Sequence, residues 1–155
     1  MNTVLYINPK GVVYETRAFS KADIAELVSD YGLESLSSGD RQFDFWFTPT
    51  TRRCQRRVNR TATGLLQSAT GFTARNVPLL RGGVVVATHD ADGDLDGLSW
   101  EQLDRLARMS RSLTARDHRI LTRRSNRADA RLRRRPATPD ALQPETADRR
   151  ETVRH

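Results

Sequence analysis

Short apolar runs in the first half of the chain predict β-strands. Residues 3–7 and 12–18 are rich in β-branched and aromatic residues, and Asn8-Pro9-Lys10-Gly11 between them favours a tight turn, so the two runs predict a β-hairpin. Three phenylalanines at every second position of residues 43–47 predict a strand with its phenylalanine face turned inward. Residues 34–36 are a candidate hairpin partner for that strand.

Two segments repeat their apolar residues every three or four positions, as amphipathic helices do. The first begins after Ser20, which has Asp23 three residues later, and ends at Gly32. The second covers residues 58–69. Each has one apolar face, so both helices are predicted to pack on a sheet. The apolar residues are Ile24, Leu27, Val28 and Tyr31 in the first and Ala62, Leu65, Leu66 and Ala69 in the second.

A strand, an acidic turn and a capped helix follow one another in the middle of the chain. Residues 84–86 are three valines without polar alternation, which fits a strand buried on both faces. The turn after them carries four aspartates and two glycines, residue types that accept turn geometry. Ser99, three residues before Gln102, is the capping-box arrangement that begins a helix.

The helix that begins after Ser99 is predicted to continue as one long basic helix to residue 135. Apolar residues fall broadly on one side of its helical wheel and arginines on the other, but the apolar positions are dense only as far as Leu106. We therefore expect the first turns to dock on the sheet and the remainder to be exposed. Pro136, Pro139 and Pro144 end any helix, so the last residues are predicted to be disordered.

Together these patterns predict an α+β fold. Its expected form is a small sheet of four to five strands with two packed helices, followed by the long basic helix and a disordered tail. The predicted organisation is a small α+β domain over residues 1–106, an arginine-rich helical extension over residues 107–135 and the tail over residues 136–155. A hydrophobic content of 37% and a mean hydropathy of -0.65 fit one modest core with polar extensions.

The basic charge is concentrated in one segment. Residues 1–98 contain 11 basic and 11 acidic residues, whereas residues 99–135 contain 12 arginines and four acidic residues, a net charge of +8. This distribution is typical of an arm that binds nucleic acid or an acidic protein surface. Arginines one helical turn apart can each contact a phosphate, so we predict binding to the phosphate backbone. The predicted contact residues are Arg105, Arg108, Arg116, Arg119, Arg123, Arg127, Arg131 and Arg134.

Several other classes of protein fit the sequence poorly. The first residues lack the features of a signal peptide and no apolar run could span a bilayer, so a cytoplasmic protein is expected. A single cysteine excludes an internal disulfide and any multi-cysteine zinc site. The three histidines show no metal-ligand spacing. We therefore expect no metal and no cofactor.

One pattern suggests an enzyme. Cys54 and Arg60-Thr61 match the Cys-x5-Arg-Ser/Thr pattern of cysteine phosphatases, in which a thiolate attacks phosphorus and the arginine holds the oxyanions. The residues between should be small and glycine-rich, and here they are bulky, so a phosphatase-like enzyme is kept only as an alternative. The five arginines of residues 52–60 disfavour a helix N-terminus, which suggests an anionic ligand or an exposed loop.

Two further patterns involve acidic residues and a histidine. A calcium loop that begins at Asp92 has Leu103 where a bidentate glutamate is needed, and one that begins at Asp90 has Leu95 in place of the glycine at position six. A solvated turn is therefore favoured over divalent-ion binding. His89-Asp90 would need further histidine and aspartate ligands to form a metal phosphohydrolase site, and we give it little weight.

Several short motifs together resemble a known family. They are Asn59-Arg60-Thr61-Ala62, the run Arg81-Gly82-Gly83-Val84-Val85-Val86, and the Asp-Gly turn with Leu98. The likeness covers about residues 1–106, and the family is a small uncharacterised α/β domain family found on bacterial phages, plasmids and integrated elements. Because that family has no established activity, the resemblance implies no catalytic residues.

The sequence thus predicts a non-enzymatic accessory protein of a mobile genetic element, for example in plasmid transfer or spread, that contacts nucleic acid through its arginine-rich helix. Two alternatives stay open. One is a host-directed inhibitor or adaptor that binds an acidic protein surface, and the other is the phosphatase-like enzyme.

Overall fold

The computed structural model describes residues 2–28, 32–48 and 57–134. Within them a six-stranded antiparallel sheet is combined with four helices, which confirms the α+β class. The elements are β1 (Asn2–Ile7), β2 (Val13–Ala18), α1 (Lys21–Val28), β3 (Glu34–Ser37), β4 (Asp44–Phe47), α2 (Arg60–Ala69), β5 (Val84–His89), β6 (Leu95–Asp96), α3 (Trp100–Arg111) and α4 (Ala115–Arg134). The predicted tail lies outside the described residues.

The valine-rich strand β5 is the centre of the sheet. The strand order is β2-β1-β5-β4-β3, and β6 pairs with the end of β5. Val86 lies opposite Leu5 of β1 on one side and Phe45 of β4 on the other. Residues 84–87 are fully buried, as expected for a strand with a packed layer on each face.

Helices cover both faces of the sheet. On one face, Ile24 and Val28 of α1 pack on Val85 and Ala87 of β5. On the other face, α2, α3 and α4 enclose the larger part of the core. Its buried members include Ile7, Phe43, Phe45, Leu66, Val86, Leu106 and Leu121. The inward phenylalanine face predicted for residues 43–47 is thus confirmed.

Asn59 joins the sheet to the start of α2. Its side-chain amide donates to three backbone carbonyls, those of Ile7, Asn8 and Gly82, at 3.3, 3.0 and 2.8 Å. Its side-chain oxygen accepts from Ala62 N–H at 3.1 Å and so caps the helix. Since Asn59 is 1% exposed, these bonds satisfy polar groups that water does not reach. The Asn-x-x-Ala motif is therefore the fixed junction between two strands and one helix.

Two details of the predicted fold are wrong. The sheet has six strands instead of four to five, because Leu95 and Asp96 fold back on Thr88 and His89 to form β6. The single long basic helix is two helices, since α3 ends at Arg111 and α4 begins at Ala115. Thr114 and Asp117 exchange hydrogen bonds of 3.1 Å, which is a second capping box.

The predicted boundary after Leu106 falls inside α3, and the segment beyond it is not exposed throughout. Leu121 of α4 is 3% exposed and belongs to the main core. A Cβ atom at Gly64 of α2 would lie 2.8 Å from Leu113 Cδ1, so the absence of a side chain at Gly64 lets the connection between α3 and α4 approach α2 closely. The described part of the extension therefore packs on the domain.

Candidate nucleic-acid interface

Helix α4 packs along α2, with Thr122 beside Arg60 and Leu121 beside Gly64, and one of its faces is fixed there. Leu121 and Ser125, one turn apart, are both buried. At the start of α4, the carboxylate of Asp117 accepts the backbone N–H of Thr114, a bond that, with the Thr114 hydroxyl, lowers the pKa of Asp117 below its usual value. Asp117 is thus charged at neutral pH and stabilises the first turn of the helix.

The far end of α4 is held by polar contacts. Asp129 accepts a hydrogen bond from the backbone N–H of Val58 at 3.0 Å and lies 3.4 Å from the guanidinium of Arg81. Nearer the middle of the helix, Arg124 donates to the carbonyl of Ala74 at 2.7 Å. Because Val58 directly precedes the Asn59 junction, the second half of α4 is tied to the point where the sheet meets α2.

Five arginines form a row along the opposite face of α4. Arg116, Arg119, Arg123, Arg127 and Arg131 are all exposed, and their spacing of three or four residues keeps them on one side of the helix. We call this row the arginine stripe. At 1.5 Å per residue it is about 22 Å long. None of the five forms an ion pair with another residue in the described segments.

The charge of α4 is strongly one-sided. The helix contains eight arginines and two aspartates, a net charge of +6. Both aspartates lie away from the stripe, Asp117 in the capping box and Asp129 against Val58 and Arg81. The stripe therefore presents positive charge without a neighbouring carboxylate on the same face, and such a surface attracts polyanions.

The structure separates two of the predicted contact residues from the stripe. Arg105 of α3 donates to Asp40 at 2.7 Å and to Gln42 at 2.5 Å, and its guanidinium lies 5.8 Å from the centre of the Phe43 ring. It ties α3 to the turn before β4, and its assignment as a nucleic-acid contact stays a prediction. Arg108 pairs with Asp104 at 3.0 Å within α3. Arg134 ends α4, and its side chain lies outside the described residues.

Only the Arg60-Thr61 part of the cysteine-phosphatase pattern lies in the described residues. Cys54 lies outside the described residues, together with the loop that would have to surround a phosphate. Arg60 is the exposed first residue of α2, and its guanidinium lies 3.5 Å from the hydroxyl of Thr122.

His89 pairs with an aspartate that the sequence did not suggest. Its Nδ1 lies 2.6 Å from Oδ2 of Asp44, while the hydroxyl of Ser37 donates to Oδ1 of Asp44 at 2.7 Å. The pair borders an open cleft of about 290 Å³, which Lys21 and Trp46 also line. In a neutral imidazole ring whose Nδ1–H donates to Asp44, the other ring nitrogen is an acceptor. The neighbouring Asp90, considered in the sequence, instead binds its own turn.

The acidic turn after β5 is held by hydrogen bonds between its own residues. The side chain of Asp90 accepts the backbone N–H groups of Asp92 and Asp94 at 2.9 and 3.0 Å, and Gly93 adopts a φ of 83° that favours glycine. Among the described residues, no group of three or more His, Cys, Asp or Glu side chains is placed to hold a metal ion.

Comparisons with protein-family models, with curated proteins and with solved structures find no match to this chain. The family resemblance based on Asn59-Arg60-Thr61-Ala62 and the glycine–valine run therefore stays a prediction. None of the helices in the described segments is long and apolar enough to cross a membrane.

Part of the interface could have been recognised from sequence and part could not. The Thr-x-x-Asp signal at Thr114 marks the start of α4, and counting from it puts the five stripe arginines on one face. Basic residues outside the helix were not included in the predicted site. Lys10 of the β1–β2 turn and Arg57 before α2 lie beside Arg133 of α4, a proximity that only the fold creates.

Proposed function

We propose that this protein binds the phosphate backbone of nucleic acid through the arginine stripe and does not read base sequence. The observation that supports this proposal is the contrast between the two sides of α4. One side is fixed to the domain through Leu121 and Asp129. The other presents five exposed arginines that pair with no other described residue.

A rigid row of guanidinium groups suits a regular array of phosphates. Successive arginines of the stripe rise by about 4.5 to 6 Å along the helix, so each of these long side chains can reach a separate phosphate of a polyanion. Each guanidinium that neutralises a phosphate releases counterions, so affinity falls steeply with salt concentration. The stripe has no aromatic side chain to stack on unpaired bases, which favours backbone contact over recognition of single-stranded bases.

The proposed contact set is narrower than the one predicted from sequence. It keeps Arg116, Arg119, Arg123, Arg127 and Arg131 and leaves out Arg105, which is engaged by Asp40 and Gln42. Arg108 contributes little, because its charge is offset by Asp104.

The test is a binding titration with a fluorescent DNA duplex over a range of salt concentrations. In the variant Arg119→Gln/Arg123→Gln/Arg127→Gln, three phosphate contacts are removed. We expect the affinity at low salt to fall about 100-fold and the slope of log K against log salt to become shallower by about 2.7, at about 0.9 per contact.

The matched control removes the same charge elsewhere. Arg41, Arg75 and Arg108 are exposed and lie off the stripe, so Arg41→Gln/Arg75→Gln/Arg108→Gln should keep a salt slope close to that of the original protein. If both triple variants lose the same affinity, only net charge matters and the stripe is not the interface. If the unmodified protein does not bind DNA or RNA duplexes at low salt, an acidic protein surface becomes the partner to test.

Truncation after Leu106 is not a suitable test. It would remove Leu121 from the main core and Asp129 from Val58, so a loss of binding would reflect a loss of folding. The role as an accessory protein of a mobile genetic element is a prediction from the sequence resemblance, and the binding experiment does not depend on it.

A further inference from the structure

A second basic feature lies beside the stripe, where three parts of the fold meet. A cavity of about 440 Å³ opens between the β1–β2 turn, the start of α2 and the second half of α4. We call it the turn cavity. Its lining residues with polar side chains are Lys10, Arg57, Arg60, Thr61, Asn126, Asp129 and Arg133.

The lining of the turn cavity is strongly positive. Four of its side chains are cationic, and the single carboxylate, Asp129, is already engaged by Val58 N–H and Arg81. Lys10, Arg57 and Arg133 form no ion pair with any residue in the described ranges, and Arg60 reaches only the Thr122 hydroxyl. Four exposed cations around one concavity repel each other, and an anion placed among them relieves that repulsion.

The walls of the turn cavity are held in place by the fold. Gly11 has a φ of 86°, and a Cβ atom there would lie 2.5 Å from the Thr61 hydroxyl oxygen, so the turn sits directly on the first turn of α2. The side chain of Asn8 accepts the N–H groups of Lys10 and Val12 at 3.0 and 2.9 Å. The carbonyl of Asn8 in turn accepts from Asn59. A site whose backbone is fixed in this way loses little entropy when a ligand binds.

Size and charge together indicate the ligand. A concavity of this volume holds a small molecule or the end of a chain, whereas the body of a duplex can only lie across its mouth. The lining carries four positive charges and one negative charge, which suits a phosphate monoester, with about two negative charges, better than a phosphodiester with one. Guanidinium groups also match the oxygens of a terminal phosphate geometrically.

We propose that the turn cavity binds the terminal phosphate monoester of a nucleic-acid strand. This inference rests on the proposed function, because the stripe would hold the strand that the phosphorylated end belongs to. Asn126 on the cavity wall is three residues from Arg123 of the stripe, which puts the two on adjoining faces of α4, so a strand end in the cavity can leave its next phosphates on the stripe.

The experiment compares DNA oligonucleotides of one sequence that carry a 5′-phosphate, a 3′-phosphate or only hydroxyl ends. We expect the full-length protein to bind one of the phosphorylated forms about tenfold more tightly than the hydroxyl form at low salt, as for one or two added charge-assisted hydrogen bonds. In Arg57→Gln/Arg60→Gln this preference should fall to about one. Both arginines are exposed, so the variant keeps the core contacts.

Two further variants separate the cavity from the stripe. The stripe variant Arg119→Gln/Arg123→Gln/Arg127→Gln should weaken binding of all oligonucleotides and keep the ratio between phosphorylated and hydroxyl ends. The control Arg41→Gln/Arg75→Gln removes the same charge as the cavity variant and should also keep the ratio. Failure of the proposed function would abolish binding of every oligonucleotide, whereas failure of this inference would abolish only the end preference.

Three results would overturn the inference. One is equal affinity of the full-length protein for all three oligonucleotides. Another is an end preference that survives both Arg57→Gln/Arg60→Gln and a second cavity variant, Lys10→Gln/Arg133→Gln. The third concerns a free phosphate ester as the source of the ligand: if a nucleoside monophosphate binds the protein as tightly as the phosphorylated strand end, the strand is not what the cavity recognises.

Discussion

The neighbouring helices α3 and α4 both carry arginines, but the fold uses the charges differently. On α3, Arg105 bridges to Asp40 and Gln42, and Arg108 pairs with Asp104. On α4, the stripe from Arg116 to Arg131 has no such partner among the described residues. On α3, Arg105 holds the helix to the turn before β4 and Arg108 pairs within the helix, whereas the stripe of α4 forms no ion pair among the described residues.

The difference shows that the net charge of a segment does not tell which of its arginines are paired within the fold. Residues 99–135 carry a net charge of +8, yet Arg105 and Arg108 of α3 pair with acidic residues from the turn before β4 and from the same helix. What separates the stripe is position, because it lies opposite the face of α4 that Leu121 anchors. Both helices pack on α2. The contribution of each helix to stability can therefore be measured by substituting the residue that anchors it.

The largest expected effect comes from the apolar anchor of α4. Leu121→Ala removes a side chain that is 3% exposed and leaves a cavity in the main core, which should lower the free energy of unfolding by about 3 kcal/mol. Leu106→Ala is the matched change on α3, where the leucine is 1% exposed, and should cost a similar amount. Urea denaturation followed by circular dichroism measures both.

The result decides whether α4 belongs to the domain. Arg127→Ala, an exposed change on the same helix, is the control and should leave the stability within about 0.5 kcal/mol. A Leu121→Ala protein as stable as the original, beside a destabilised Leu106→Ala protein, would mean that α4 does not share the core and behaves as the separate extension predicted from the sequence.

The sequence predicted the elements whose signals are local. The capping box at Ser99 and Gln102 forms as expected, with bonds of 3.2 and 2.8 Å, because all its groups lie within four residues. The β1–β2 hairpin and the inward face of Phe43 and Phe45 were predicted for the same reason. Alternation and turn chemistry act over a few residues and can be read directly.

The features that were missed depend on distant parts of the chain. Asp129 meets Val58 across 71 residues, and His89 meets Asp44 across 45. Nothing near these residues in sequence identifies the partner. The packing of α4 on the domain was missed because apolar residues are sparse in this helix. In the structure Leu121 lies beside Gly64 of α2, and Asp129 binds the N–H of Val58. The turn cavity was missed since its walls come from three separate segments.

A smaller effect is expected from the polar anchor of α4. Asp129→Ala leaves the Val58 N–H without its acceptor and removes the ion pair with Arg81, so the free energy of unfolding should fall by about 2 kcal/mol. Asp129→Asn keeps an acceptor for Val58 and should cost about half as much. If Asp129→Ala and Asp129→Asn are equally stable, the hydrogen bond to Val58 contributes nothing and the end of α4 is held by other contacts.

The smallest effect concerns the polar anchor of α3 and depends on pH. Hydrogen bonds from the Ser38 hydroxyl and the Gln42 N–H, together with the charge of Arg105, hold the pKa of Asp40 below its ordinary value of 3.8. A carboxyl group whose pKa is lowered by folding stabilises the folded state at pH values above 3.8, and that contribution is lost as the pH falls through the lowered pKa.

Because solvent screens the half-exposed pair of Asp40 and Arg105, Asp40→Asn should lower the free energy of unfolding by less than about 1 kcal/mol at neutral pH. Urea denaturation of Asp40→Asn and of the original protein should therefore differ slightly at about pH 7 and coincide near pH 2. A difference that is the same at both pH values would show that the charge of Asp40 does not hold α3, and the contrast between the two helices would then rest on packing alone.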